Sequence, residues 1–312
     1  MNFFNKTEIK LHNLKQDIKE YALQIGFADC KVTNEINYRN IENFYKDWLG
    51  RKFNDKMNFL ERNLEKRFDL KNILPDAKSA LVFSISYNFE QKINNEMKIS
   101  RYALIKDYHK VIFEKLKKVD DFIKLRTTNY KSKIFVDTGP ILEKQIAKKA
   151  GIGWQGRNSL IISKEYGSWI FLGVIIINLD LENDEKHPDY CGKCRLCIEN
   201  CPTQAITENR NIDASKCIAY WTIESKEEIF PDFIRKNQNK WVYGCDICQE
   251  VCPWNKKAKI GNCKEFILNN DISNISKDIL MNLNEELFND LFKETPIARL
   301  GLKRLKRNIE GI

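Results

Sequence analysis

The sequence predicts a layered α/β domain over residues 1–185, a cysteine-rich module over 186–260 and a short helical tail over 261–312. In the first part, segments whose apolar residues recur every three or four positions alternate with short β-branched runs. This pattern is typical of helices packed on a sheet. Eight of the ten cysteines then lie between residues 191 and 252. After residue 260 the spacing of apolar residues is helical again.

Most elements of the first part follow from this spacing. Helices are predicted at 7–25, 37–49, 107–125 and 140–150. Strands are predicted at 28–33, 79–87, 133–137, 159–163 and 168–178. The run SALVFSISY is predicted to be a buried strand because it is short, continuous and rich in β-branched residues.

The first 25 residues carry charges throughout and contain no apolar core of the kind found in secretory signals. The longest apolar run, Trp169–Ile177, is far too short to span a bilayer. We therefore expect a soluble protein of the reducing cytoplasm that has no membrane partner.

The first cysteine run is Cys191-Gly-Lys-Cys194-Arg-Leu-Cys197-Ile-Glu-Asn-Cys201-Pro202. This C-x2-C-x2-C-x3-C-P spacing is that of bacterial ferredoxins with two iron–sulfur clusters. Two-residue gaps let a tight loop direct three sulfurs at one [4Fe–4S] cluster. The three-residue gap starts a helical turn that carries the fourth sulfur to the other cluster.

The second cysteine run is Cys245-Asp-Ile-Cys248-Gln-Glu-Val-Cys252-Pro253, and Cys217 precedes it at a distance. Crosswise sharing then predicts two ligand sets. The first set is Cys191, Cys194, Cys197 and Cys252. The second set is Cys201, Cys217, Cys245 and Cys248. Residues 218–244 must leave the ferredoxin-like module and return, so we predict an insertion there.

Zinc and disulfides are the alternative uses of these cysteines. Zinc favours paired C-x2-C knuckles and does not need the Cys-Pro crossover. Disulfides require an oxidising compartment, to which nothing in the sequence points. The spacing favours two [4Fe–4S] clusters.

Basic residues dominate the chain and its tail. The formal net charge is +9, which is compatible with a polyanionic partner but also follows from a composition rich in lysine. The tail carries Arg299, Lys303, Arg304, Lys306 and Arg307. Such a run is typical of a solvated helix face, and contact with nucleic acid is the alternative.

Gly151-Ile-Gly153-Trp-Gln-Gly156 matches the G-x-G-x-x-G pattern of dinucleotide-binding sites. That fingerprint needs a strand before it and a helix after it. Here a helix is predicted before it and a strand after it, so we reject a nicotinamide site. The glycines are expected to let the backbone approach something flat or to form a tight turn.

Asp137 ends a predicted strand and precedes Thr138-Gly139-Pro140. The carboxylate would then lie at the carboxyl edge of the sheet, where ligand sites of open α/β sheets gather. A helix cap is the alternative role. Beside redox centres, an acid whose pKa is raised by an apolar environment could donate a proton. The three histidines, His12, His109 and His187, are scattered and are expected to be structural rather than metal ligands.

Several segments together resemble one family, the epoxyqueuosine reductases, which are cobalamin-dependent iron–sulfur enzymes of tRNA modification. Besides the first cysteine run, they are 100–109 (SRYALIKDYH), 136–139 (VDTG), 150–158 (AGIGWQGRN), 165–169 (EYGSW), 216–224 (KCIAYWTIE) and 243–253 (YGCDICQEVCP). They occur in the family's order and cover most of residues 10–255. The resemblance implies a nitroreductase-like cobalamin-binding domain, a two-cluster ferredoxin-like module and a tRNA substrate that carries epoxyqueuosine.

The resemblance also implies roles for single residues. Asp137 would be the proton donor, and Lys226 in the insertion would lie near the tRNA. The implied cobalamin contacts are Arg67, Ser100, Asp137, Ile161, Ile162, Ser163, Leu172, Ala219 and Asp246. The family leaves cobalt without a histidine ligand, which agrees with the scattered histidines. An external low-potential electron donor would supply the clusters.

Two departures from the family are visible. Many members continue into a helical-repeat domain where this sequence stops at Ile312, so we expect a short form that holds tRNA by its remaining basic surface. Arg157 stands where lysine is common, which keeps the charge and changes its geometry. The rival interpretations are a corrinoid reductive dehalogenase, although no twin-arginine signal is present, and a two-cluster electron carrier.

Overall fold

A computed structural model describes residues 6–90, 96–310 and 312, without the side chains of residues 6–10 and 12. Its strands are β1 Asp29–Thr33, β2 Ser79–Ser86, β3 Lys98–Ile99, β4 Ser132–Phe135, β5 Trp154–Gln155, β6 Ile161–Ile162, β7 Ile170–Ile177 and β8 Trp241–Tyr243. Its α-helices are α1 Lys6–Gln24, α2 Glu42–Gly50, α3 Leu64–Phe68, α4 Tyr108–Lys124, α5 Glu143–Ala150, α6 Leu196–Glu199, α7 Ile218–Ile223, α8 Asp232–Asn237, α9 Ile247–Glu250, α10 Pro253–Lys256, α11 Asn270–Ser273, α12 Lys277–Met281, α13 Glu285–Phe292 and α14 Leu302–Glu310.

The main sheet has the strand order β1-β2-β7-β4, and each neighbouring pair is antiparallel. Every residue of β2 is buried, because helices cover both faces of the sheet. Leu81 and Ile175 pack with α1 and α4, whereas Val82 and Ile176 pack with α5 on the opposite face. The predicted layered α/β architecture and the buried strand at 79–87 are confirmed.

The environment of Asp137 differs from the prediction in two respects. Strand β4 ends at Phe135, so Asp137 lies in the following bend, where its φ of 60° is in the left-handed region. The sheet is antiparallel, so the argument from the carboxyl edge of a parallel sheet is wrong. Only glycine fits at position 139, because a Cβ there would lie 2.1 Å from the Phe135 ring.

The glycine-rich run lies in the context that excluded a dinucleotide site. Helix α5 precedes it, strand β5 lies within it, and β6, the partner of β5 in a hairpin, follows it. Gly151 ends α5 with a φ of 88°. A Cβ on Gly153 would lie 2.1 Å from the carbonyl oxygen of Ile162, so this glycine permits close backbone packing inside the hairpin.

The cysteine-rich module contains the predicted helical turns. Helix α6 lies between Cys194 and Cys201, and α9 occupies the equivalent place before Cys252. The predicted insertion at 218–244 contains α7, α8 and β8. Strand β8 pairs with β3 of the first part, and Lys98 is opposite Trp241 in this pair. The module is therefore joined to the first part by backbone pairing as well as by side chains.

The helical tail packs on that β3–β8 pair through a core of its own. Its last helix, α14, is tied to the insertion. Arg307 donates to the carbonyl oxygens of Trp221, Ser225 and Glu227, and Asn308 donates to those of Thr222 and Val242.

Two findings bear on the predictions for the tail and for membranes. The predicted solvated basic face is wrong for Arg307, whose side chain is buried against the insertion. Within the described ranges, no helix has both the length and the apolar character needed to cross a bilayer.

Candidate active site and cluster sites

The second cysteine set encloses a small cavity. Cys201, Cys217, Cys245 and Cys248 line it together with apolar side chains from the same loops. Burial raises the pKa of the Cys248 thiol, and the charges of Cys245 and Cys217 raise it further. The four sulfurs therefore lie close enough to affect one another, although Cys217 comes from a distant part of the sequence.

The first set gathers in the same way. Burial raises the pKa of Cys197 to about 11, and the charges of Cys191, Cys252 and Cys194 act in the same direction. Cys252 packs with Trp154 and Ile162 of the β5–β6 hairpin. The structure thus brings together the crosswise sets that the spacing predicts.

The donor chemistry of both sets fits [4Fe–4S] clusters. None of the ten cysteines forms a disulfide in this structure. Burial raises the pKa of five of the ligands, Cys197, Cys217, Cys245, Cys248 and Cys252, so protons occupy these five sulfurs in the absence of metal. Cluster assembly must then release these protons, as binding of any metal to thiolates does.

Asp137 is held by two side chains at the start of α4. The Tyr108 hydroxyl donates to Oδ2 of Asp137 at 3.1 Å, and Nε2 of His109 lies 3.2 Å from the same oxygen. The Tyr108 ring is stacked on Phe171 of β7, with ring centroids 4.0 Å apart. The carboxylate is therefore fixed above an aromatic surface of the sheet.

His109 is in turn oriented by Asp107. Asp107 caps α4 by accepting a hydrogen bond from the backbone N–H of His109, and its Oδ1 lies 2.8 Å from Nδ1 of the ring. Although burial opposes it, the hydrogen bonds from His109 lower the pKa of Asp107 to about 2. Asp107 is therefore a carboxylate, and Nδ1 of His109 carries a hydrogen.

The expected raised pKa of Asp137 is wrong for the protein alone. Burial pushes the pKa of Asp137 up, but hydrogen bonds from His109 and Tyr108 and the charge of Lys144 outweigh it, so the pKa lies below its ordinary value. Burial lowers the pKa of His109, and its bonds to Asp107 and Asp137 more than reverse this. The pair therefore holds its proton mainly on the histidine.

Glu143, at the start of α5, supports the loop of Asp137. Its Oε1 accepts a hydrogen bond from the backbone N–H of Asp137 at 2.7 Å. Burial and the charge of Asp137 raise the pKa of Glu143 to about 7. Two neighbouring carboxyl groups thus have pKa values moved in opposite directions, which is typical of acid–base sites.

Asp137 and Lys144 are exposed and border an open space, called the cavity here. The Asp137 side chain is 59% exposed. Burial lowers the pKa of Lys144, although this side chain is itself open to solvent. The charges of Asp137 and Cys248 both act on Lys144, and that of Asp137 also acts on Glu224 at the end of α7. The cavity therefore lies between the sheet, the second cysteine set and the insertion.

The structure places two of the implied cobalamin contacts together. Ser100 hydrogen-bonds to Asp246, whose Oδ2 also accepts from the backbone N–H of Arg101 at 2.7 Å. Burial raises the pKa of Asp246 to about 6. Gln249 joins Asp246 to Tyr87 at the end of β2 by buried hydrogen bonds. This network connects the cluster-bearing helix α9 to the sheet.

The other implied contacts are distributed around the fold. Ile161 and Ile162 are buried in β6, Ser163 follows them, and Leu172 and Ala219 are half-buried. Arg67 is buried and donates to the carbonyl oxygens of Arg62 and Phe59, so it holds the 58–62 segment in place.

Two features of the sheet fit a large ligand with both polar and apolar parts. The first three residues of β7, Ile170 to Leu172, are half-buried, whereas the rest of this strand is fully buried. Ser84 stands opposite Leu172, and its buried Oγ has no hydrogen-bond partner among the described residues. An uncovered apolar strand beside an unpaired hydroxyl matches the flat ring and amide arms of a corrin.

Lys226 is exposed in the insertion, and its charge acts on Glu224. Sequence reasoning missed several other residues of the cavity: Asp107, Tyr108, His109, Glu143, Lys144 and Arg299. The signal for His109 was its place two residues after an Asp at a helix start. Arg299 had no local signal, because it comes from the tail.

Comparison with known proteins identifies the family. The family model described as "Epoxyqueuosine reductase QueG, DUF1730" matches residues 67–138. The model described as "4Fe-4S double cluster binding domain" matches residues 190–255. An epoxyqueuosine reductase of Atelocyanobacterium thalassa is 38% identical over 307 residues, covering 96% of this chain and 99% of the relative.

Solved structures agree with this assignment. A crystal structure of epoxyqueuosine reductase with an epoxyqueuosine-modified tRNA-Tyr stem loop matches with a TM-score of 0.90 at 30% identity, over 96% of this chain and 80% of that one. The Bacillus subtilis epoxyqueuosine reductase, described with its catalytic loop swung out of the active site, matches with a TM-score of 0.87 at 28% identity, over the same shares of the two chains.

A reductive dehalogenase structure, described as suggesting a mechanism for B12-dependent dehalogenation, matches with a TM-score of 0.50 at 13% identity, over 98% of this chain and 40% of that one. This likeness is one of fold alone. The sequence identity, the two family models and the crystal structures all lead to one assignment: this chain belongs to the epoxyqueuosine reductase family, whose members use cobalamin and two [4Fe–4S] clusters.

Proposed function

We propose that the chain reduces epoxyqueuosine to queuosine in the anticodon loop of tRNA. The observation that carries this proposal is the shared cavity. The charges of Asp137 and Cys248 both act on the pKa of Lys144, so an acid and a cluster ligand lie near the same side chain. Family membership supplies the substrate class, because the relatives are named for this reaction.

The reaction consumes two electrons and two protons, converts an epoxide to an alkene and releases the oxygen as water. Bound clusters deliver electrons one at a time. Bound cobalamin supplies a low-valent, strongly nucleophilic cobalt centre. The protein must then position the cofactor and the substrate, exclude water and deliver two protons.

The proposed contacts for cobalamin lie on three sides of the cavity. Ser100 and Asp246 would bind polar groups of the cofactor, with Ser84 available as a further hydroxyl. The half-buried side chains Leu172 and Ala219 would pack against the ring. The other proposed contacts are Arg67, Asp137, Ile161, Ile162 and Ser163. With the domain limits proposed from the sequence, Ala219 and Asp246 belong to the module of residues 186–260 and the other contacts to residues 1–185, so the cavity would lie between these two parts.

Asp137 is the proposed proton donor to the departing oxygen. Both hydrogen-bond donors reach its Oδ2, so its Oδ1 is the oxygen left for the substrate. In the free protein the proton resides mainly on His109, which lies 3.2 Å from Asp137. The proton can therefore pass from the histidine to the carboxylate and then to the substrate.

The anticodon loop is proposed to enter past the insertion. Bases of a loop can be splayed out and recognised singly, which would bring the modified base to Asp137. Exposed Lys226 would contact a phosphate at the entrance. An external low-potential donor is proposed to reduce the clusters, and we propose the cytoplasm as the site of action because the tRNA is there.

The test is an anaerobic turnover assay. The protein is reconstituted with iron, sulfide and cobalamin, reduced with a low-potential reductant and given a stem loop that contains epoxyqueuosine. Mass spectrometry of the nucleosides should show loss of one oxygen atom and formation of queuosine. A preparation that binds iron but no cobalamin, and leaves the epoxide intact, would instead fit an electron carrier.

A further inference from the structure

Arg299 reaches from the tail into the site of Asp137. Its Nη1 lies 2.9 Å from Nε2 of His109, and its Nη2 donates to Oδ2 of Asp107 at 3.0 Å. The residue ends a short helical turn, Pro296–Arg299, whose Ile297 is fully buried. Tyr243 also donates to the carbonyl oxygen of Pro296 at 3.1 Å. The guanidinium is therefore held at the histidine by a rigid segment.

Two neighbours make opposite demands on one nitrogen of His109. Its Nδ1 is committed as a donor to Asp107. Its Nε2 lies 3.2 Å from Asp137 and 2.9 Å from Arg299. A guanidinium can only donate, so Arg299 needs a lone pair on Nε2 and hence a neutral ring. A carboxylate can only accept, so ionised Asp137 needs a hydrogen on Nε2 and hence a charged ring.

The same proton can therefore occupy two places. With the proton on His109, the ring donates to Asp137 and is repelled by Arg299. With the proton on Asp137, the ring is neutral and accepts from Arg299. Tyr108 can donate to Oδ2 in both states, so the second state leaves the acidic hydrogen on Oδ1 of Asp137.

We propose that Arg299 is a positioning residue that weakens the hold of His109 on the shared proton and so favours its passage to Asp137, the acid of the reaction. This inference rests on the proposed function for its chemical purpose. The transfer changes no oxidation state, because a proton leaves Nε2 and one oxygen–hydrogen bond forms on the carboxyl group. The other charged groups that face this pair are Asp107, Glu143, Lys144 and Glu224.

A simpler role for Arg299 would be to fasten the tail to Asp107. That role predicts a loss of stability when Arg299 is replaced and no change in the proton affinity of His109. The proposal predicts a change in proton affinity, because a cation 2.9 Å from Nε2 disfavours the charged ring. Titration of His109 separates the two roles.

The chain has three histidines, so nitrogen-15 labelling of histidine gives a spectrum simple enough to follow by NMR. The sample is the anaerobic protein with oxidised clusters, and His109→Gln assigns the signal. We expect the Nδ1–H tautomer at high pH. Arg299→Met should raise the pKa of His109 by about one, and Arg299→Lys, which keeps the charge, by clearly less. Asp137→Asn should lower it.

Lys303→Met is the matched control, because it removes an exposed cation from the same tail that pairs with Glu228. It should leave the titration of His109 unchanged, and the signals of the other two histidines should report an intact fold in every variant. A titration midpoint that is the same in Arg299→Met and the wild type overturns the proposal, as does an Nε2–H tautomer at high pH. Both results are independent of turnover and therefore of the proposed function.

Turnover gives a second readout. Arg299→Met should lower the plateau of kcat about tenfold and move the alkaline limb of the pH profile to higher pH, because the pair then holds its proton more tightly on the histidine. Arg299→Lys should recover most of both. A lower plateau with an unmoved limb would mean that Arg299 is structural, which contradicts the proposal.

Discussion

At the scale of single residues, the site is built from side chains that control one another. Asp137 has a left-handed backbone, a carboxylate fixed by Tyr108 and His109, and an N–H held by Glu143. Strain of this kind persists at functional sites because the surroundings enforce it. Asp137 is thus held in position by side chains from two helices.

Asp137→Asn tests the proposed acid directly. The amide is nearly the same size and its oxygen can still accept from Tyr108, but it cannot supply a proton. We expect kcat to fall by at least about 10²-fold. The absorption spectra of the clusters and the bound corrin should not change. A variant that retains full turnover would exclude Asp137 as the donor.

Glu143→Gln tests the buried carboxyl group through stability. The pKa of Glu143 is raised from 4.5 to about 7, so the folded protein binds this proton more tightly than the unfolded chain. Stability from this group is therefore fully present below pH 4.5 and declines as the pH rises to 7. The glutamine variant should be more stable than the wild type at pH 8, by roughly 1–3 kcal/mol, with a smaller difference at pH 6.

Denaturant unfolding at the two pH values measures this effect. Glu286→Gln is the control. Both glutamates lie in the first turn of a helix, Glu143 in α5 and Glu286 in α13, but Glu286 is exposed. The control should show no such pH dependence. If the free energies of unfolding of the Glu143 variant and the wild type differ by the same amount at both pH values, burial does not raise this pKa.

At the scale of elements, the tail stabilises the insertion that borders the cavity. The amide of Asn308 is fully buried, donates to the carbonyl oxygens of Thr222 and Val242 at 2.8 Å each, and accepts from Arg307. The insertion consists of two six-residue helices, α7 and α8, the three-residue strand β8 and the loops between them. Its position therefore depends on α14.

Asn308→Ala should leave two buried carbonyl groups and the Arg307 guanidinium with missing partners. We expect the free energy of unfolding to fall by about 2–3 kcal/mol. Asn274→Ala, at an exposed position where the amide bonds only to its own helix turn and its neighbour, should change it by less than about 0.5 kcal/mol. Equal losses in the two variants would contradict the proposed tie between α14 and the insertion.

Lys226→Met tests the insertion as a contact for tRNA. We expect a higher KM for the stem loop with little change in kcat, and a salt dependence of binding whose slope falls by about one. Lys236→Met, another exposed lysine of the insertion, is the control. A slope and KM equal to those of the wild type would place the tRNA elsewhere on the surface.

At the scale of the whole molecule, local patterns predicted local structure. Strand β2 and helix α4 lie within a residue or two of their predicted limits. The continuous apolar run of a buried strand and the apolar spacing of a helix can both be recognised in a short stretch of sequence. Both cysteine sets were also predicted, because cluster geometry restricts their spacing. The end of β4 was not, because the bend at Asp137 depends on Glu143 and on the ring of Phe135.

What the sequence could not show was long-range. His109 and Asp137 are 28 positions apart, and Arg299 is 190 positions from His109. No periodicity connects such residues. The packing of α4 on the sheet brings His109 to Asp137, and the packing of the tail on β3 and β8 brings Arg299 to both. The direction of the Asp137 pKa shift was missed for the same reason.

The central claim is that eight thiolates are shared crosswise between two clusters that serve one cavity. Iron and sulfide analysis of two double variants, after anaerobic reconstitution, tests it most directly. Cys197→Ser with Cys252→Ser removes two ligands of one set and should leave about four iron atoms per chain. Cys197→Ser with Cys201→Ser removes one ligand from each set and should leave close to none. The reverse pattern, or zinc in place of iron, would contradict the account.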